Sequence, residues 1–126
     1  MASEGLHESA DKLKPETIDT HRAIVSLMEE LEAIDWYRQR VDAATDAQLG
    51  AVLEHNMNEE IEHASMVLEW IRRHVPKFDE ALRTYLFTTV DITGIEAEVE
   101  ESGGQPKATE SHPSTKRMTI GDMKGN

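Results

Sequence analysis

The pair Glu60-x-x-His63 is the pattern in this sequence that is best suited to chemistry. A spacing of three residues places a carboxylate and an imidazole on the same face of a helix. Glu30 lies at the middle of a similar pattern nearer the N-terminus. The chain has no cysteine, so carboxylates and imidazoles are its available metal ligands, and they suit iron or manganese. The three residues together predict a metal site.

Both stretches repeat residues at alternating spacings of three and four, which is typical of helices that pack along a seam. Glu30 is expected in the middle of one seam, and Glu60 and His63 in the middle of the other. Unpaired buried carboxylates are costly, and neither seam offers a Lys or Arg to neutralise them, which favours a bound metal ion. The first seam comprises Ala23, Leu27, Glu30, Ile34, Tyr37 and Val41, and the second comprises Leu49, Leu53, Asn56, Glu60, His63, Val67, Trp70 and His74.

Two long helices must position these residues. The first is predicted from Pro15, which a first helical turn tolerates, to about Ala43. Thr45 is the expected N-cap of a second helix over about 46–74, and Pro76 stops that helix. Because the turn between them has two or three residues, the helices are expected to fold back antiparallel as an αα-hairpin.

Shorter helices are predicted after the hairpin. One is expected from Lys77 to about Phe87, and another is expected to be capped by Thr93 and to reach about Glu101. The predicted fold class is therefore all-α, an antiparallel two-helix hairpin plus short C-terminal helices.

The chain is expected to have three parts. Residues 1–101 form the helical hairpin domain. Residues 102–117 are rich in Ser, Thr, Gly, Pro and Lys, which is typical of a flexible linker. Residues 118–126 regain apolar character and form a separate C-terminal peptide.

Charge and composition narrow the function. The chain carries 25 acidic and 13 basic side chains, a net charge of −12, and such a surface repels phosphate backbones and anionic lipids. We therefore expect no nucleic-acid and no membrane partner. The sequence shows neither a signal-peptide pattern nor an apolar run of roughly 18 residues, which predicts a cytoplasmic protein. Its six aromatic residues make a meagre core, which a second copy of the chain is expected to complete.

The ligand count also favours a second copy. Carboxylate di-iron bundles use four helices, two of which supply a Glu and two of which supply a Glu-x-x-His pair. One chain supplies one of each kind, so a two-fold pair supplies Glu30, Glu60 and His63 twice. We therefore predict an obligate homodimer that forms a four-helix bundle with its metal site between the subunits.

Two stretches of the chain resemble the encapsulated ferritins. One runs from His21 to Tyr37, and the other contains the Glu-Glu-Ile-Glu-His run at 59–63 and continues through 68–73. The resemblance covers roughly residues 6–98. It implies a ferritin-like fold and a ferroxidase that oxidises Fe(II) with dioxygen at a di-iron site. It also implies a homodimer that assembles into a decameric ring and is cargo inside an encapsulin shell, which stores the oxidised iron.

The resemblance further implies roles for single residues. Glu29 and Glu32 are implied as an outer, metal-attracting site beside Trp36. Tyr37 is implied next to the ligands, where it would orient a ligand or quench an oxidising intermediate. The implied di-iron ligands are Glu30, Glu60 and His63.

The C-terminal peptide from Thr119 to Lys124 resembles the encapsulation peptide of the same family. Its pattern is a Thr, an aliphatic residue, a Gly and a second apolar residue, which suits an extended peptide that docks in a groove. Asp122 stands where a small Ser is common, and Met118 and Met123 replace the usual leucines. The peptide predicts an encapsulin shell protein as a partner.

Two other functions fit the same sequence. A non-catalytic acidic helical adaptor would bind a partner through the hairpin and hold no metal. A di-iron or di-manganese peroxidase-like enzyme would use a similar cage and turn over faster with hydrogen peroxide than with dioxygen. At the level of residues, Glu60 and His63 also fit a solvated pair, and Glu29, Glu32 and Asp35 also fit an exposed acidic helix face.

Overall fold

A computed structural model describes residues 5–103, and all regular secondary structure in this range is helical. A short 3-10 turn at Ala10–Lys12 precedes four α-helices. The predicted all-α class is confirmed. The predicted C-terminal peptide, and all but the first two residues of the predicted linker, lie outside the described residues. The helices are α1 (Pro15–Ala43), α2 (Ala47–His74), α3 (Pro76–Tyr85) and α4 (Ile92–Glu101).

The two long helices form the predicted hairpin. α1 begins at Pro15, whose fixed φ suits a first turn, and the acidic Glu16 in that turn faces the positive end of the helix dipole. A three-residue link, 44–46, separates α1 from α2, and the two helices pack along each other. Because the link is so short, the helices run antiparallel.

The N-caps of α2 and α4 differ from the prediction. Asp46, and not Thr45, caps α2, where its carboxylate accepts a hydrogen bond at 2.8 Å from the backbone N–H three residues later. Asp91, and not Thr93, caps α4 with a similar bond of 3.1 Å. Thr93 lies inside the first turn, where its hydroxyl donates to the Asp91 carboxylate at 2.9 Å. An Asp caps as well as a Thr and adds a negative charge that the helix dipole favours.

The residues of α2 that the structure covers match the predicted seam only in part. Its buried side chains are Met57, Ala64 and Ile71, each one position after a residue of the predicted seam. Glu60 belongs to the covered face with 26% of its side chain exposed, whereas His63 lies at the edge of that face with 43% exposed. A seven-residue repeat drifts by about 20° per heptad on a straight helix, so spacing alone does not decide between two adjacent stripes.

The core of the described chain is small. Five side chains are buried between residues 5 and 103, and none of them lies on α1. The six residues of the predicted α1 seam are each half-buried. Fourteen large apolar side chains in this range are exposed, which leaves much apolar surface without cover in the single chain.

The described residues divide into two compact units within α3, after Phe78. The first unit contains the hairpin. The second contains the rest of α3 and all of α4, with Thr84 and Ile95 buried. Phe87 follows α3 with a φ of 63°, the left-handed conformation in which many helices end. No helix between residues 5 and 103 has the length and hydropathy needed to cross a membrane.

Candidate metal centre

The hairpin itself brings the two central glutamates together. Glu30 and Glu60 each lie fifteen residues from Thr45 in the turn. At 1.5 Å per residue, each is about 22 Å along its helix from the turn. In an antiparallel pair, equal distances from the turn place two residues side by side. His63 joins them because it lies about one helical turn after Glu60 on the same side of α2.

Glu30, Glu60 and His63 form one compact group. One oxygen of each carboxylate and one ring nitrogen of the imidazole all lie within 4.8 Å of one another. The Nδ1 atom of His63 is 3.5 Å from Oε1 of Glu60. All three side chains are half-buried, and no other group of three His or acidic side chains within residues 5–103 comes this close. These atoms are close enough to share a single metal ion.

Glu30 has a perturbed carboxyl group. A hydrogen bond with the Glu60 carboxyl raises the pKa of Glu30, and burial and the negative charge of Glu60 raise this pKa further. His63 acts in the opposite direction. Two carboxylates at this separation repel each other. A cation between them attracts both carboxylates and offsets this repulsion. A bound cation is therefore expected to lower the pKa of the Glu30 carboxyl.

We expect Glu30→Gln to stabilise the metal-free protein at neutral pH. A carboxyl whose pKa is raised by folding contributes stability that is complete below its unfolded pKa of about 4.5 and is lost as the pH rises through the folded value. Gln resembles the protonated carboxyl at every pH. Thermal unfolding followed by circular dichroism with a chelator should therefore show equal melting temperatures in acid and a higher melting temperature for the variant at neutral pH.

The matched control for this experiment is Glu32→Gln, since Glu32 is exposed on the same helix. Its melting temperature should stay close to that of wild type both in acid and at neutral pH. A Glu30→Gln protein that melts below wild type at neutral pH would contradict the expected repulsion.

The two other predicted metal-binding residues lie outside the group of three. Glu29 and Glu32 are both exposed on α1. The negative charge of Glu29 contributes to the raised pKa of Glu30, so the two carboxylates repel each other. Asp35, the third acidic residue of this face, accepts a hydrogen bond from Gln39 at 3.1 Å.

The aromatic residues near the group differ in their exposure. Tyr37 is half-buried, and the guanidinium carbon of Arg40 lies 5.6 Å from its ring centroid. Tyr37 is seven residues after Glu30, which places both on the same face of α1. Trp36 has an exposed side chain one position away.

Glu59 was given no role from the sequence, yet its carboxylate lies between two imidazoles. Its Oε1 is 4.0 Å from Nε2 of His63, and its Oε2 is 3.8 Å from Nε2 of His55. The three residues are spaced four apart on α2 and so share one face of the helix. A His-x-x-x-Glu-x-x-x-His spacing is the sequence signal that indicates this contact.

The fold and this group define a class of protein. Between residues 5 and 103 the secondary structure is helical, and the hairpin carries two carboxylates and an imidazole at its centre, which defines a ferritin-like helical protein with a candidate metal site. The EncFtn-like family profile matches residues 5–89. The chain belongs to this family of encapsulated ferritin-like proteins, which confirms the resemblance found in the sequence.

Individual relatives agree with this assignment. The chain is 53% identical to an encapsulated ferritin-like protein of Rhodospirillum rubrum over 128 positions, which cover 99% of this chain and 91% of the relative. It is 34% identical to an encapsulin nanocompartment cargo protein of Myxococcus xanthus over 101 positions, with 75% and 76% covered. A crystal structure of a Nitrosomonas europaea protein superposes with a TM-score of 0.68 at 57% identity, over 70% of this chain and 97% of that one.

Proposed function

We propose that this protein is a ferroxidase, which oxidises Fe(II) to Fe(III) with dioxygen as the electron acceptor. The observation that carries the proposal is the Glu30, Glu60 and His63 group, whose potential ligand atoms lie within 4.8 Å of one another. Carboxylate oxygens are hard, negatively charged donors that suit iron, and they stabilise the higher charge of Fe(III) more than that of Fe(II). The group is therefore suited to favour the oxidised ion.

The proposed site is completed by a second copy of the chain. One chain offers two carboxylates and one imidazole, which is half of the donor set in ferritin-like di-iron bundles. A two-fold axis beside the group doubles the donors to four carboxylates and two imidazoles for two iron ions. The half-exposed side chain of His63 leaves the group open to such a partner.

Apolar surface next to the group supports the same homodimer. On α2, positions 49, 52, 56, 59, 63 and 66 follow alternating spacings of three and four, and this stripe is apolar at Leu49, Val52 and Met66. Met66 is 61% exposed, and Leu49 and Val52 are also exposed in the single chain. On α1, Ile24, Met28 and Leu31 are exposed at spacings of four and three. A two-fold partner would cover these stripes, and the family resemblance extends the proposal to a decameric ring of such homodimers.

The remaining predicted residues have proposed roles around the site. Glu29 and Glu32 are exposed carboxylates that would attract Fe(II) from solution beside Trp36. Tyr37 shares a helix face with Glu30, where its hydroxyl would orient a ligand or give an electron to an oxidising intermediate. A bound Fe(II) would lower the pKa of the Glu30 carboxyl, which Glu60 raises, and would so favour the ionised form that binds the metal.

Oxygen uptake tests the proposed reaction. The protein is loaded with Fe(II) under nitrogen and mixed with oxygenated buffer, and oxygen is followed with an electrode. Uptake faster than that of Fe(II) in buffer supports a ferroxidase, and equal rates contradict it. Faster turnover with hydrogen peroxide than with dioxygen would favour the peroxidase-like alternative. An assembly that binds no iron in native mass spectrometry would favour the adaptor.

We further propose that the protein is cargo of an encapsulin shell, since one of its relatives is named as such a cargo protein. Residues 102–117 would serve as the linker and Thr119–Lys124 as the part that binds the shell. Deletion of residues 118–126 is expected to abolish co-purification with a co-expressed shell protein and to leave iron oxidation unchanged. Cargo loading that survives the deletion would contradict this role of the peptide.

A further inference from the structure

The imidazole of His63 lies between two glutamates on its own helix. Its Nδ1 faces Oε1 of Glu60 at 3.5 Å, and its Nε2 faces Oε1 of Glu59 at 4.0 Å. A neutral imidazole carries a lone pair on one nitrogen and a proton on the other. Because Glu60 belongs to the candidate metal group, Nδ1 is the nitrogen directed toward that group. A metal-binding lone pair on Nδ1 therefore requires a proton on Nε2, opposite Glu59.

The carboxylate of Glu59 also lies near a second imidazole, that of His55. Its second oxygen lies 3.8 Å from Nε2 of His55, one turn earlier on the same face of α2. Both oxygens thus face an imidazole nitrogen, and the side chain is about half exposed. The two separations are longer than hydrogen bonds, and such contacts are often long before a substrate binds and then shorten.

We propose that Glu59 is a positioning residue that sets the tautomer of His63. Its carboxylate lies opposite Nε2 of His63, where it favours a proton on that nitrogen and so keeps the Nδ1 lone pair directed at the Glu30 and Glu60 carboxylates. Histidines that bind metals almost always donate their other ring N–H to such an acceptor, which also makes the binding nitrogen more basic. Glu59 itself does not bind iron. This inference rests on the proposed function in one respect, that His63 binds the metal.

The test compares Glu59→Ala, which removes the acceptor, with Glu59→Gln, which keeps an acceptor oxygen without the charge. Glu62→Ala is the matched control, because it removes the same charge from an exposed neighbour of His63. The first measurement is metal-free. Solid-state nitrogen NMR of full-length, histidine-labelled protein reports which ring nitrogen is protonated, and His63→Gln assigns the signal among the six histidines.

We expect the Nε2–H tautomer of His63 in wild type and in Glu62→Ala, a mixture of tautomers in Glu59→Ala, and partial recovery in Glu59→Gln. Co(II) affinity is expected to fall about 10- to 100-fold in Glu59→Ala. It should fall at most about fivefold in Glu62→Ala, the effect of one exposed charge. An Nδ1–H tautomer in wild type, or identical tautomers and affinities in Glu59→Ala and Glu62→Ala, would overturn the proposal. Neither result depends on iron oxidation, which tests the proposed function separately.

Discussion

Alanine at Glu30, Glu60 or His63 is expected to reduce the initial rate of iron oxidation at least roughly 100-fold. Residues that only orient a metal ligand cost about 10- to 100-fold when they are removed, so loss of a ligand should cost at least the upper end of this range. In a two-fold site each substitution removes two donors at once. The rate is measured as oxygen uptake after anaerobic loading with Fe(II).

The three variants should behave alike because they act on one group. Once one donor is lost, the remaining side chains no longer enclose two ions, and a second loss adds little. Double substitutions are therefore expected to be no slower than the slowest single substitution. Strictly multiplicative losses would indicate separate sites.

Matched controls separate this effect from a general loss of charge. Glu54→Ala removes an acidic side chain from α2, and His74→Ala removes an imidazole from its last turn, where it stacks on Trp70 at 3.9 Å between ring centroids. Both lie away from the group of three and should leave the rate close to that of wild type. If all three ligand variants kept the wild-type rate, the ferroxidase assignment would be wrong.

Met66→Asp is expected to weaken the homodimer by about 100-fold or more. A buried Met side chain contributes about 1.5–3 kcal/mol, and a two-fold interface buries it twice. Met66 is 61% exposed in the single chain and lies one turn after His63 on the uncovered stripe of α2. A charge at this position would have to be buried in the proposed interface, which adds to the loss.

Sedimentation velocity and native mass spectrometry, with and without Fe(II) under nitrogen, measure this change. Ser65→Asp is the matched control, because it adds the same charge one residue away at an exposed position off the stripe. Wild type and Ser65→Asp should form the homodimer, and Fe(II) should strengthen it if the site lies between subunits. A Met66→Asp protein that assembles like its control would exclude this stripe from the interface.

The sequence determined the helices because their signals are local. Pro15 starts α1, the short polar link after Ala43 ends it, and Pro76 follows the end of α2. Each of these signals acts through the backbone of one or two neighbouring residues. The predicted N-caps were wrong because several oxygen-bearing side chains lie near each helix start, and the local backbone angles select one. In both cases the selected residue was Asp, at Asp46 and Asp91.

Periodicity also identified the central residues, but it did not fix the rotation of α2. Most of the predicted seam is half-buried, whereas the fully buried residues of α2 are Met57, Ala64 and Ile71, each one position after a seam residue. Two rows that differ by one residue fit a seven-residue repeat almost equally well. Contact with α1 decides which row is buried. His63 then lies at the edge of the contact between the two helices.

The amino-acid sequence is sufficient to predict the two helices, the turn between them and a carboxylate or imidazole near the middle of each helix. These follow from residue type and spacing along one helix. The distances within the site come from the packing of the folded hairpin, which brings the potential ligand atoms of Glu30, Glu60 and His63 within 4.8 Å of one another and places Glu59 between two imidazoles. Such distances depend on the rotation of each helix and on side-chain rotamers. Packing sets both, and a pattern along a single helix does not.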